Sequence, residues 1–180
     1  MEIWTERLIL RPWKDSDAEN LYKYAKDPDV GPIAGWPVHT SAANSLEIIR
    51  TVFAAPEIYA VCLKEDNQAI GSAGLMAGKC SSLHLPDSEA EIGYWIGVPF
   101  WGHGLIPEAV MAIMHRGFAE LELEKIWCSY TDGNEKSRRV QEKCGFIYDR
   151  TEEVFWEMTG DRRRIHVSSV SREEFLRKTV

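Results

Sequence analysis

Two glycines around a histidine, Gly102-His103-Gly104, separate a stretch that alternates from a stretch that repeats at helical spacing. Ahead of them, Ile92, Tyr94 and Ile96 alternate with Glu91, Gly93 and Trp95, the pattern of a strand with two unlike faces. Behind them, Ile106, Ala109, Val110, Ile113, Gly117, Phe118 and Leu121 recur as one face of a helix. Pro107 falls in the first turn of that helix, where its missing N–H costs nothing. Glycines let main-chain amides approach a ligand closely, and a helix N-terminus adds partial positive charge. Together they form an anion site, best suited to phosphate. A GxG pair by itself reads as an ordinary strand-to-helix turn.

The chain has 180 residues, which fits a single domain spanning 1–180 with a real core. A hydrophobic fraction of 44% argues against a disordered chain. The net charge of −7 disfavours a nucleic-acid partner, which needs a basic stripe to displace counterions. No apolar run approaches a membrane span, and no signal-peptide pattern opens the sequence, so the expectation is a cytoplasmic protein with no membrane partner. The four cysteines, Cys62, Cys80, Cys128 and Cys144, form no CxxC and have no histidine at zinc spacing, so no metal is expected. Cys62, Cys128 and Cys144 sit in apolar patterns and read as core; Cys80 lies in a loop.

The elements that must position the glycine loop follow in order. Glu6–Arg11 reads as a strand ended by Pro12. Ser16 and Glu19 have capping-box spacing for a helix that Asp27-Pro28 stops. Val30–Val38, with its prolines, glycines and Trp36, is an irregular binding-loop candidate. Thr40 or Ser41 caps a helix that buries Leu46, Ile49, Val52 and Phe53. Ile58–Lys64 and Ala69–Leu75 form a hairpin, and a polar loop from Ala77 to Ser88 leads to the central strand. After the central helix come a strand at Lys125–Thr131 and a helix with Asn134 as N-cap and Gly145 as the residue past its end. Phe146–Tyr148 starts a strand, Val154–Met158 pairs with Arg163–Val170, and Ser171 with Glu174 opens a last helix. Mixed order of this kind implies an α+β domain with a mostly antiparallel sheet.

Three stretches carry a family resemblance. Trp101-Gly102-His103-Gly104-Leu105-Ile106-Pro107-Glu108-Ala109 resembles the pyrophosphate loop of the GNAT superfamily of acyl-CoA-dependent N-acetyltransferases. Asn134 to Phe146, an Asn start, then Ser137, then Lys143-Cys144-Gly145-Phe146, looks like that family's late helix. Thr5-Glu6-Arg7-Leu8-Ile9-Leu10-Arg11-Pro12 resembles the first strand of the Rim-type branch, which includes acetyltransferases of ribosomal-protein N-termini. The three occur in the family's order and span nearly the whole chain.

The resemblance implies the GNAT fold: a six- to seven-stranded, mostly antiparallel sheet with two splayed central strands, flanked by about four helices. It implies acetyl-CoA as co-substrate and a primary amine, a protein N-terminus or a small molecule, as acceptor, with direct transfer in a ternary complex. By that likeness the main chain of Trp101, Gly102, His103, Gly104, Leu105 and Ile106 holds the pyrophosphate. Ile96, Gly97 and Val98 pair with the pantetheine arm and supply an oxyanion donor, and Asn134 meets the cofactor. Glu91 is the candidate base, direct or through a water. Many family members place a tyrosine four residues before the Gly-Phe pair to protonate the sulfur; Gln141 stands there, so Ser137, one turn earlier, becomes the candidate donor. Trp101 and Ile106 also depart from the commoner Arg or Gln and Gly or Ala, and Ile106 adds bulk beside the phosphates. A homodimer is common in the branch, and the C-terminal hairpin offers an edge for one. The rival from another class is a non-catalytic acyl-CoA-binding or sensing module. A dinucleotide-binding domain ranks last, since Pro107 stands where its third glycine belongs.

Overall fold

Strands β1 (Ile3–Trp4) and β2 (Leu8–Arg11) open the chain as an antiparallel pair closed by Thr5, whose N–H donates to the Leu8 carbonyl while its hydroxyl accepts from the Leu8 N–H. The computed structural model describes residues 1–179. Helices α1 (Ala18–Ala25), α2 (Gly31–Ala34) and α3 (Ala42–Thr51) follow, then strands β3 (Ile58–Leu63), β4 (Ala69–Ala77) and β5 (Glu89–Ile96). Helix α4 (Leu105–Ala119) leads to β6 (Lys125–Thr131), α5 (Glu135–Lys143), the hairpin β7 (Ile147–Trp156) and β8 (Asp161–Ser171), and α6 (Arg172–Thr179).

The strands form one mixed sheet in the order β1-β2-β3-β4-β5-β6-β8-β7. The α+β expectation holds, with eight strands instead of six or seven. The additional one is β1, whose two residues are too short to leave a period in the sequence. Among the described residues there are six helices, and four-residue α2 lies inside the segment read as irregular. The pairs β1–β2, β2–β3, β3–β4, β6–β8 and β7–β8 are antiparallel, and β5 and β6 run parallel.

The chain divides into two compact units, Met1–Gly74 with Tyr94–Ala109, and Leu75–Gly93 with Val110 onward. The first packs Ile9, Trp13, Leu21, Ile49, Ala60 and Cys62 into a buried cluster, with Trp36, Phe53 and Trp95 against it. At its side Arg11 and Asp17, 3% and 5% exposed, form a two-pronged ion pair of 2.7 and 2.8 Å. Breaking such a pair strands a buried charge at a cost of about 3–5 kcal/mol. This pair also corrects a sequence expectation. The Asp17 carboxylate accepts the Lys14 N–H, and α1 begins at Ala18, so Ser16 is not the cap. Ser41 does cap α3, its hydroxyl accepting the Asn44 N–H. Val52, expected inside, is exposed because α3 stops at Thr51; Ser45 and Ile49 are the residues it buries.

The second unit buries Ile92, Val110, Ile113, Met114, Phe118, Ile126, Cys128 and Val167. Gly117 lies against Ile126, which fixes α4 on the Ile126–Cys128 face of β6. Leu121 lies past the end of α4 and is exposed. Strand β6 pairs with β8 along its whole length, from Lys125↔Ser171 to Thr131↔Ile165. With β5 it pairs only at Glu89↔Lys125, Ala90↔Ile126 and Glu91↔Trp127 among the described residues, so Cys128–Thr131 have a ladder on one side alone. Ser171 and Glu174 form the expected capping box of α6.

Candidate active site

The loop before α4 takes its shape from its glycines. Gly102 and Gly104 have φ of +80° and +76°, a region that costs an L side chain about 1 kcal/mol or more. The space in front of Gly102 is open, with no atom within 4 Å of where a Cβ would stand. Helix α4 makes its first main-chain bond from the Glu108 N–H to the Gly104 carbonyl. Among the described residues, the N–H groups of Gly104, Leu105 and Ile106 have no acceptor, and Pro107 has no N–H to offer. Three unused donors at the positive end of a 15-residue helix are an arrangement that could hold an anion. The Ile106 side chain is buried, so its bulk lies in the core and not in the space before the helix, as the sequence suggested. The His103 side chain is exposed.

A second layer holds that loop, and sequence reasoning missed it. Glu108 accepts from the Thr5 hydroxyl at 2.6 Å, the Arg7 main-chain N–H at 2.8 Å and the Arg7 guanidinium at 2.7 Å. Arg7 also donates to the His103 carbonyl at 2.9 Å. Burial would raise the Glu108 carboxyl, but the hydrogen bonds from Thr5 and Arg7 outweigh it and hold the group below its ordinary range. In the sequence Thr5 and Arg7 read only as part of a strand pattern; their partner lies about a hundred residues away and leaves no local signal.

At the end of β5 the main-chain donors divide between the protein and the open edge. Gly97 N–H donates to the Ile70 carbonyl at 2.9 Å, so it is not available to a ligand. Adjacent N–H groups of a strand point to opposite edges, so that of Ile96 points away from Ile70, and the role expected of Ile96–Val98 narrows to Ile96 and Val98. The Trp101 indole donates to the Ile96 carbonyl at 3.0 Å. Trp101 therefore fastens the loop to the strand that delivers it.

Glu91 is 5% exposed and holds four hydrogen bonds. One carboxylate oxygen accepts from the Ser81 hydroxyl, the Ser82 N–H and the Ser82 hydroxyl at 2.8–3.0 Å; the other accepts from the Ser129 hydroxyl at 3.2 Å. Its burial, more than its partners, keeps this carboxylate from an amine, since Oε1 accepts a single bond. Its place on the sheet is clear from β6. Ser129 and Trp127 turn to Glu91 and Glu89, while Ile126 and Tyr130 turn to the α4 and α5 side.

Helix α5 is capped at both ends. The Asn134 side chain accepts the Ser137 N–H, and Gly145, at φ +83°, lets the Phe146 N–H reach the Gln141 carbonyl and its own N–H reach the Glu142 carbonyl. Ser137 is half-buried on this helix, and Gln141 stands one turn further along the same face. Arg138 is paired with Glu135 and Glu142. The thiols of Cys62 and Cys144 are pushed by burial up to about 12, which makes them poor nucleophiles. Among the described residues no cluster of His, Cys, Asp or Glu could hold a metal, and no helix is long and apolar enough to cross a membrane.

Comparison with known proteins gives concordant likenesses. A family model described as an acetyltransferase (GNAT) domain matches residues 7–147. The chain is 27% identical over 149 residues to an uncharacterized N-acetyltransferase, p20, of Bacillus licheniformis, covering 80% of this chain and 81% of that one. A crystal structure of a GNAT-family acetyltransferase from Bacillus anthracis superposes with a TM-score of 0.84 at 23% identity, over 97% of this chain and all of that one. Mycobacterium smegmatis RimJ, solved in complex with CoA-disulfide, superposes with a TM-score of 0.77 at 19% identity, over 97% and 88% of the two chains. At these identities the two structures speak for the fold.

Proposed function

Since the chain belongs to the GNAT acetyltransferase family and is an N-acetyltransferase, we propose that it moves an acetyl group from acetyl-CoA to a primary amine by direct transfer in a ternary complex. The observation that carries this reading is the set of unused N–H donors at Gly104, Leu105 and Ile106, at the N-terminus of α4. They suit the cofactor's pyrophosphate, with Gly102 and His103 completing the loop and Trp101 holding it in place. The N–H groups of Ile96 and Val98 serve the pantetheine arm and the developing oxyanion. Asn134 meets the cofactor while capping α5.

Ser137 donates to the departing sulfur, which needs a hydrogen bond because a free thiol has a pKa of ~8.5. Glu91 receives the amine's proton through a hydroxyl that it already holds, that of Ser82 or Ser129. The hydroxyl oxygen takes the proton from the amine as its own proton passes to the carboxylate, so charge moves without Glu91 leaving its cage. Glu91 and Ser137 approach from opposite faces of β6, which suits an amine and a thioester that meet from opposite sides.

The resemblance of Thr5–Pro12 to the first strand of the Rim-type branch supports a protein N-terminus as acceptor. A soluble enzyme of the cytoplasm, acting as a homodimer, fits the same reading. The test is incubation of the purified protein with acetyl-CoA and a panel of N-terminal peptides and small amines, followed by mass spectrometry. Acetylated peptide products support the proposal. Tight acetyl-CoA binding with no acetylated product in any arm overturns transfer to these acceptors.

A further inference from the structure

Gln141 is 2% exposed and its carboxamide has no hydrogen-bond partner among the described residues, but it is too enclosed for a ligand to reach. The hairpin of β7 and β8 instead brings reactive groups to the surface. Along β8, His166 and Ser168 share a face, since side chains alternate. Their partners on β7 are Thr151 and Tyr148, three positions apart, which an unbroken strand would send to opposite faces. The register shifts between Tyr148 and Arg150, and the extra residue, Asp149, returns both side chains to one face. The Tyr148 and Thr151 hydroxyls then lie 2.8 Å apart. Thr151 Oγ1 lies 2.8 Å from His166 Nδ1, and His166 Nε2 lies 3.2 Å from Asp132 Oδ1. All three bonds are at the surface, where Thr151 and Tyr148 are both exposed.

The carboxylate sets the direction of every proton in this row. An ionised Asp132 can only accept, so His166 Nε2 carries the hydrogen. A neutral imidazole carries one, which leaves Nδ1 as the acceptor. The Thr151 hydroxyl therefore donates to Nδ1, and the Tyr148 hydroxyl donates to Thr151 Oγ1. The Tyr130 ring packs on the imidazole with centroids 4.9 Å apart and fixes its plane. A hydroxyl whose proton faces an imidazole, held in one tautomer by a carboxylate, is an activated nucleophile.

We propose that Thr151 is a nucleophile that takes an acyl group from an aryl ester or thioester, with His166 as its base and Asp132 positioning His166. Oγ1 attacks the acyl carbonyl as its proton passes to His166 Nδ1. The oxyanion forms on the carbon bonded to Oγ1, within reach of the Tyr148 O–H, which turns from Oγ1 to it. Collapse breaks the bond to the departing phenolate or thiolate, which takes the proton back from Nδ1. The products are an ester at Thr151 and a free phenol or thiol, with no further reactant. A single side-chain donor for the oxyanion restricts the reaction to acyl groups with good leaving groups. The four residues lie within the second unit, so the site stands whether or not acetyl transfer to an amine proceeds as proposed.

The experiment mixes the purified chain with p-nitrophenyl acetate, follows p-nitrophenolate release, and maps acetyl groups by mass spectrometry after an acid quench. The expected result is an acetyl group on Thr151 that hydroxylamine removes, as it does an ester. Acetyl groups on lysines are amides and survive that treatment. Where water removes the ester quickly, the expected result is steady release that Thr151→Val lowers and Thr151→Ser keeps. His166→Gln should slow acylation about a hundredfold. Asp132→Asn should slow it severalfold, and Asp132→Glu, which restores the acceptor, should recover most of the rate. Tyr148→Phe should slow it severalfold. These side chains lie at the surface, so the thermal midpoints should stay close to that of the parent. Absence of a Thr151 ester together with release undiminished by Thr151→Val, or an undiminished rate in His166→Gln, overturns the proposal.

Discussion

Arg7 and Glu108, from opposite ends of the first unit's sequence, meet at 2.7 Å, and the same guanidinium reaches the His103 carbonyl of the glycine loop. Arg7 is 46% exposed, so the ion pair alone is worth little. Its value is geometric, since three bonds to one carboxylate fix where α4 starts. Glu108→Gln places a donor against the guanidinium and breaks that arrangement. The expected result is an acetyl-CoA dissociation constant about tenfold higher, measured by calorimetry, with little change in thermal midpoint.

Gly104→Glu adds a side chain at φ +76° and a negative charge among the unused amides. Acetyl-CoA binding should be lost by calorimetry. Retained affinity would show that the pyrophosphate sits elsewhere.

Ser137→Ala separates binding from chemistry. If Ser137 assists the departing sulfur, kcat should fall by about a hundredfold while the acetyl-CoA dissociation constant stays within a factor of two or so. An unchanged kcat would remove Ser137 from the mechanism.

His39 offers a pH test of the first unit. It is buried, its Nδ1 lies 2.8 Å from the Ser45 hydroxyl, and burial lowers its pKa below the ordinary value. The unfolded chain therefore binds this proton first, and the stabilising contribution is complete above pH ~6.5 and declines as pH falls toward the folded value. The thermal midpoint should drop on acidification from pH 7.5 to 5.5, and His39→Gln, which keeps a partner for Ser45 but does not titrate, should drop less.

Gln141→Leu should stabilise the unliganded protein. Replacing an unpaired buried amide with an apolar side chain of similar size is worth about 1 kcal/mol, or roughly 2–4 °C in thermal midpoint for a chain this long. A lower midpoint would mean that the amide is satisfied in solution.

The parts of the site that were legible in the sequence are those with local causes. The Gly102–Gly104 loop, the Asn134 and Ser171 caps and the Gly145 terminus each rest on residues within a few positions of one another. What stayed hidden depends on distant partners. Nothing near Glu108 announces Thr5 and Arg7, nothing near Asp17 announces that Arg11 will claim it, and nothing near Gly97 says that Ile70 takes its N–H. The cage around Glu91 is a similar case, built from a loop and a neighbouring strand that no periodicity links.

Cys80 is exposed, whereas Cys62, Cys128 and Cys144 are enclosed. It adjoins Ser81 and Ser82, the hydroxyls that clasp Glu91. A maleimide fluorophore should thus attach at a single position in the native protein, without any thiol being engineered away. Its emission would report, in real time, whether the serine clasp loosens during turnover.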